Sequence, residues 1–266
     1  DTIGKGLVDK DLVTPSVVFG ALVGAMFWNV VTWLKGIPSS SSHALVGGIV
    51  GAGVAHAGLT GIQWTGLNKT LIAIVLSPTL GMILSMLIML ATSWLGVRAT
   101  AAGAERTFRA LHLVSSATYS IGHGLNDAQK TMGIITVLLY STRYLGGEFD
   151  VPHWVAISCY VAIGLGTLSG GWRIIETMGT RITKLSQHQG FSASLGGSVV
   201  LISASWLGIP VSTTHTITGC AIGAGAARRA SSVRWGVAGN VMTAWLITIP
   251  ASATVAAIFY WIASAF

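Results

Sequence analysis

The sequence predicts an all-α, polytopic membrane protein with inverted-topology repeats and two re-entrant helical hairpins, and three observations lead there. Of 266 residues, 52% are hydrophobic and only 9% charged, whereas a soluble domain carries roughly a quarter charged residues; mean hydropathy is +0.71. Gly36-Ile37-Pro38-Ser39-Ser40-Ser41-Ser42-His43 is repeated as Gly208-Ile209-Pro210-Val211-Ser212-Thr213-Thr214-His215. Gly51, Gly53, Asn68 and Pro78 recur as Gly223, Gly225, Asn240 and Pro250 at the same offset of 172 residues. Finally, prolines and hydroxyl clusters interrupt apolar segments, and irregular backbone at membrane depth is tolerated only where it lines protein or a cavity.

In chain order, apolar segments run over 17–34, 37–57, 70–95, 111–141, 151–170, 191–207, 209–227 and 235–265, each near the roughly 20 residues a membrane segment needs. They predict about seven or eight membrane-crossing or membrane-entering segments and leave no room for a soluble domain. Segments 17–57 and 191–227 are predicted as hairpins turning at the Pro-Ser and Pro-Val-Ser-Thr-Thr clusters. Arg98, Arg106 and Arg109, then Arg173, Arg181 and Lys184, then Arg228, Arg229 and Arg234 mark cytoplasmic loops, because Lys and Arg set orientation. The start, with Asp1, Asp9 and Asp11 against Lys5 and Lys10, and the loop with Arg143, Glu148 and Asp150 belong on the far side. The first copy is thus flanked by an acidic start and the uncharged 58–68 stretch, the second by basic loops, so the two enter from opposite sides. Positive charge is accounted for by orientation and points to no nucleic acid.

The division expected is residues 1–110, the remainder of a first inverted repeat, and residues 111–266, a second repeat with a helix broken within 111–141. At the repeat offset, the mate of the Asn126-Asp127 motif falls roughly 45 residues before Asp1, so the chain reads as N-terminally truncated. Such duplicated, oppositely inserted halves imply a secondary transporter with its site where the repeats meet.

Asp127 is the single acidic side chain placed at membrane depth, and Lys130 the single basic one away from a segment end. An intramembrane charge costs roughly 2.5–3.5 kcal/mol on insertion scales and marks function; the competing reading is an Asp127–Lys130 ion pair that neutralises itself. Glycines at 122 and 124 favour unwinding, which would free carbonyls to join Asn126 and Asp127 in a site for sodium or for a proton on Asp127. Ser40, Ser41, Ser42, Ser212, Thr213 and Thr214 follow a proline at helix N-termini, where free amides and hydroxyls bind an anion without a full charge. Plain capping competes there. His43 and His215 read as supporting donors, Gln129 as an oxyanion donor or a backbone-paired amide. Cys159 and Cys220 read as packing residues, and the tryptophans as an interfacial belt.

Gly124-Leu125-Asn126-Asp127-Ala128-Gln129-Lys130-Thr131-Met132-Gly133, the two proline-led blocks, and Gly171-Trp172-Arg173 through Gly190-Phe191 together make the chain resemble the inorganic phosphate transporter (PiT) family, in its prokaryotic form. The resemblance implies inverted repeats, phosphate between two hairpin tips and coupling cations near the Asn-Asp motifs. By position it assigns phosphate to Ser40, Ser41, Ser42, Ser212, Thr213 and Thr214, and the ion and anion site to Asn126, Asp127 and Gln129; Lys130 matches the motif and, with His43 and His215, is expected in a supporting place. Leu125 stands where that family commonly has alanine, and Ser39 where a branched apolar residue is usual. The function expected is cation-coupled symport of phosphate, by sodium or proton, in a prokaryotic plasma membrane, with no cofactor, lipid as surroundings and a homodimer as assembly. The same fold carrying sulfate or a metal-phosphate is the alternative. An intramembrane hydrolase using a tip serine with His43 or His215, of which Ser39 and His43 have the facing i, i+4 spacing, is a distant one.

Overall fold

The computed structural model describes residues 6–9, 12–145, 150–209 and 211–265. Pro210 of the second turn, and Asp1, Lys5, Lys10, Asp11 and Glu148 of the charge argument, lie outside the described residues. Among those described, the chain is helical throughout, with nine α-helices: α1 (Pro15–Lys35), α2 (Ser41–Ala57), α3 (Trp64–Leu95), α4 (Ala101–Ser141), α5 (His153–Leu168), α6 (Trp172–Glu176, extended by a π turn, Thr177–Arg181), α7 (Gln187–Trp206), α8 (Thr213–Arg228) and α9 (Trp235–Ser264).

The duplication holds in the caps and stops of the hairpin helices. Thr14 caps α1 by accepting from Val17 N–H, and its mate at the 172-residue offset, Ser186, caps α7 by accepting from Gln189 N–H. Both helices end on a left-handed glycine, Gly36 at φ 67° and Gly208 at φ 65°, a conformation that only glycine adopts without strain. Gly36 N–H donates to Trp33 and Ile37 N–H to Thr32, as Gly208 N–H donates to Ser205 and Ile209 N–H to Ala204. This bond pair is the termination expected at a helix C-terminal glycine. The chain then turns back into α2 and α8, of 17 and 16 residues. At 1.5 Å per residue each reaches about 25 Å, short of a hydrocarbon core of about 30 Å, which suits a re-entrant arm.

Packing is crosswise. The first hairpin, α1 and α2, lies against α9; the second, α7 and α8, lies against α3. Glycines set the approach: Gly47 faces Ile249 and Ser252 and Gly51 faces Ala253, while their mates Gly219 and Gly223 face Pro78 and Met82. Small residues let helices meet backbone to backbone where lipid supplies no hydrophobic drive. Helix α2 therefore runs alongside α9 and α8 alongside α3, while α2 and α8 do not pack along their lengths. They converge only at their first turns, as arms from opposite sides must.

Among the described residues, three helices are long and apolar enough to cross a membrane: α1, α3 and α9. Helices α5 and α6 together pass the same test but bend by 69° between them, at Gly170 and Gly171 with φ of 132° and 103°. Side chains such as Ile72, Val75, Leu113, Leu165 and Leu246 point outward, the inverse of a soluble surface. Trp64, Trp154, Trp172 and Trp235 sit at helix starts and Trp94 and Trp206 at helix ends, all exposed, as a belt requires. Cys159 and Cys220 are free and buried, as packing residues.

The expected break within 111–141 is absent. Helix α4 is continuous over 41 residues, about 60 Å at helical rise, and Gly122 and Gly124 keep right-handed backbone. The physical reason is α7, which packs along α4 and meets it at small residues, Gly190 against His112, Gly197 against Tyr119, and Gly122 against Leu201. The close approaches are made by Gly190 and Gly197 of α7, while Gly122 makes ordinary contact with Leu201 and Gly124 faces open space; the helix continues through both, and no carbonyls are freed there.

Candidate functional site

The two hairpin tips meet beside the middle of α4. Ser40 and Ser212 are the N-caps of α2 and α8; each side chain accepts from the amide three residues on, His43 and His215, at 3.2 Å in both copies. Capping is therefore what these two hydroxyls do, and both are buried. The imidazoles that follow face each other edge-on, with ring centroids 4.2 Å apart. His215 also stacks on Trp245 at 3.7 Å, and the Trp245 indole N–H donates to the Pro38 carbonyl at 3.0 Å, tying the second tip to the turn of the first. Asn126, Asp127 and Lys130 come from α4, and Tyr119, two turns earlier, donates its hydroxyl to the Thr213 carbonyl at 2.9 Å.

Asp127 and Lys130 join the tips. Lys130 Nζ donates to Ser42 Oγ of the first tip at 2.6 Å, to the Val211 carbonyl of the second at 2.9 Å and to Asp127 Oδ1 at 2.7 Å. The other carboxylate oxygen accepts from Thr213 Oγ1 at 3.1 Å and lies 2.9 Å from His123 Nε2. The ion pair does exist, but its outer bonds reach residues 80 or more positions away. Asn126 turns elsewhere: its amide donates to Ser205 Oγ of α7 at 3.2 Å, and its buried carbonyl oxygen has no partner. Adjacent residues on a helix point about 100° apart, so Asn126 and Asp127 do not converge on one ion.

A cavity of about 950 Å³ opens against this cluster. Its wall comes from α1, the first tip, α4, α5 and α6, and its polar lining includes Asn29, Ser39, Ser41, His123, Asp127 and Thr131. Of the six tip residues expected at an anion site, Ser41 lines the cavity, Ser42 and Thr213 back it through Lys130 and Asp127, and Ser40 and Ser212 hold the caps. Thr214 is half-buried, and like Thr213 lies outside the lining. Gln129 is exposed on another face of α4 and does not line the cavity. Sequence reasoning passed over His123, Tyr119 and Trp245. The first two sit one and two turns before Asp127 on the same helical face, a spacing that was available; Trp245 is reached only through tertiary packing. Ser39 donates to Thr32 Oγ1 at 2.8 Å and His43 faces His215, so the geometry of a serine nucleophile is not formed.

Crossed hairpins whose short helices meet N-terminus to N-terminus over a cavity, inside a shell of apolar helices, define a membrane transporter built on inverted repeats. The profile of the phosphate transporter family (PHO4) matches residues 1–256, and the chain belongs to that family, a family of transporters and not of enzymes. It is 60% identical over 263 residues to the probable low-affinity inorganic phosphate transporter of Rhizobium meliloti, covering 99% of this chain and 79% of that protein. To the protein of the same description from Mycobacterium tuberculosis (strain ATCC 25618 / H37Rv) it is 43% identical, covering 97% of this chain and 63% of the relative. For the Bacillus subtilis protein the figures are 40%, 96% and 79%. A solved structure described as the sodium-dependent phosphate transporter superimposes with a TM-score of 0.87 at 24% identity, covering 100% of this chain and 84% of that one, which fixes the likeness of fold.

Proposed function

We propose that this chain carries the substrate site of a secondary transporter that moves inorganic phosphate across a prokaryotic plasma membrane by alternating access, driven by a sodium or proton gradient. The observation that carries the reading is the Asp127–Lys130 pair, bonded to both hairpin tips at the foot of the cavity. An anion arriving through the cavity meets the α2 N-terminus at Ser41, where the helix dipole and first-turn amides favour negative charge. Neutral donors hold an oxyanion without trapping it. Because the same network touches the second tip, binding on the cavity side changes the bonds that keep the tips together, and any coupling ion that alters the same tip contact is linked reciprocally to the anion. Rocking of one repeat against the other then exposes the site to the opposite face.

The test is radiolabelled phosphate uptake by the full-length protein in liposomes, with sodium and pH gradients imposed separately and sulfate added as competitor. Saturable uptake driven by one of the two gradients, and undiminished by equimolar sulfate, is the expected result. Uptake that sulfate competes away, or that appears only with a divalent metal present, hands the site to the alternative cargoes. Absence of uptake under both gradients sinks the proposal.

A further inference from the structure

Lys130 is 8% exposed, and its ammonium is surrounded by a particular set of oxygens: a carboxylate from Asp127, a hydroxyl from Ser42 and a backbone carbonyl from Val211, at 2.7, 2.6 and 2.9 Å. An ammonium has three N–H donors and no acceptor. All three are used, so in this arrangement none is left for a bound oxyanion. The three oxygens belong to three separate elements, α4, the first tip and the second tip, and a lysine that merely neutralised Asp127 at i, i+3 would reach neither tip. Carboxylate, hydroxyl and carbonyl oxygens are the hard ligands that an alkali cation takes when it sheds water.

We propose that Lys130 is a tethered resident cation occupying the place that a sodium ion would fill between Asp127 and the two tips, so that the tips close here without sodium. The inference rests on the transporter reading of this site and deepens it by assigning the cation of this site to the chain itself. It also revises the expectation of sodium at Asn126 and Asp127. Asp127 has both oxygens engaged by the chain, and Asn126 faces α7. A positive charge is still required for the tips to meet at a buried carboxylate; the lysine provides it at fixed stoichiometry, where a free ion would have to be drawn from solution.

The test needs no transport. Thermal unfolding of the purified full-length protein is followed in sodium chloride and in choline chloride of equal ionic strength, for wild type, Lys130→Ala, Lys130→Gln and the double variant Asp127→Asn/Lys130→Ala. Removing the ammonium vacates the three-oxygen pocket, and an ion that binds the folded state alone raises the midpoint. Lys130→Ala is expected to gain a sodium-specific rise on the order of 2–4 °C over any shown by wild type, and the double variant to lose it. Lys130→Gln guards against a variant that does not purify. A sodium response no larger than wild type's overturns the proposal, as does failure of both single variants to fold in either salt, since sodium would then be unable to stand in. Wild-type phosphate uptake is measured separately: its failure removes the transport reading and leaves the sodium shift to be judged by itself.

Discussion

Asp127 and Lys130 occupy a buried position where neither charge is stable alone. Breaking such a pair from one side typically costs about 3–5 kcal/mol, whereas replacing both partners by neutral groups is close to free. Asp127→Asn is therefore expected to lower the unfolding midpoint in detergent and to reduce phosphate uptake severely, because Lys130 stays buried without its counter-ion. Asp127→Asn/Lys130→Met should regain most of the lost stability and none of the uptake. A double variant as unstable as the single one would show that the pair is not what stabilises the site. The hydroxyls of Ser40 and Ser212 belong to a different kind of residue, one that shapes the helix start, while the neighbour Ser41 is the tip serine that lines the cavity.

At the scale of elements, the hairpins are held by glycine contacts with the long helices. A side chain at Gly47 would strike the backbone at Ile249, and one at Gly219 the backbone at Pro78. Backbone has nowhere to retreat, and forced overpacking typically costs about 1–3 kcal/mol. Gly47→Val and Gly219→Val are expected to destabilise to a similar extent, since the two are mates in the repeat, and both should cut uptake by displacing a tip. Gly239→Ala, in α9 with open space around it, is the control: stability should hold or rise, by at most about 1 kcal/mol from helix propensity. Thermal unfolding of the three variants side by side decides it. Unequal losses at the two mates would mean that the hairpins are not packed as equivalents.

For the whole molecule, crossing the hairpins onto each other's long helices makes the tip contact the place where the halves must part if access alternates. His43 and His215 are buried there with ring centroids 4.2 Å apart. His43→Cys/His215→Cys, made in a background with Cys159 and Cys220 replaced by serine, should be joined by a short thiol cross-linker or oxidant. Joining should stop phosphate uptake, with reductant restoring it after oxidation. Full uptake with the tips covalently joined would exclude motion at this contact from the transport cycle.

The sequence by itself determined the membrane class, the two hairpins and their equivalence, because an offset of 172 residues carries each cap, glycine stop and proline from one copy to the other. Several helix ends followed from apolar runs and from Gly36 and Gly208, which end a helix by local backbone preference, but α3 and α4 start at Trp64 and Ala101, six and ten residues before their apolar runs, so that Arg106 and Arg109, expected in a loop, lie on α4. The continuity of α4 was not legible: two glycines in a long apolar segment favour a break locally, and only the packing of α7 along that face decides for an intact helix. The meeting of the tips was legible as a consequence of the repeat, but the wiring between them was not. Whether Ser40 caps or binds, whether Gln129 faces the cavity, and which oxygens surround Lys130 depend on rotation about a helix axis and on neighbours 80 or more residues distant. Those are set when the hairpins cross and pack, since side-chain partners at that separation are fixed by tertiary contact and carry no local signal in the chain.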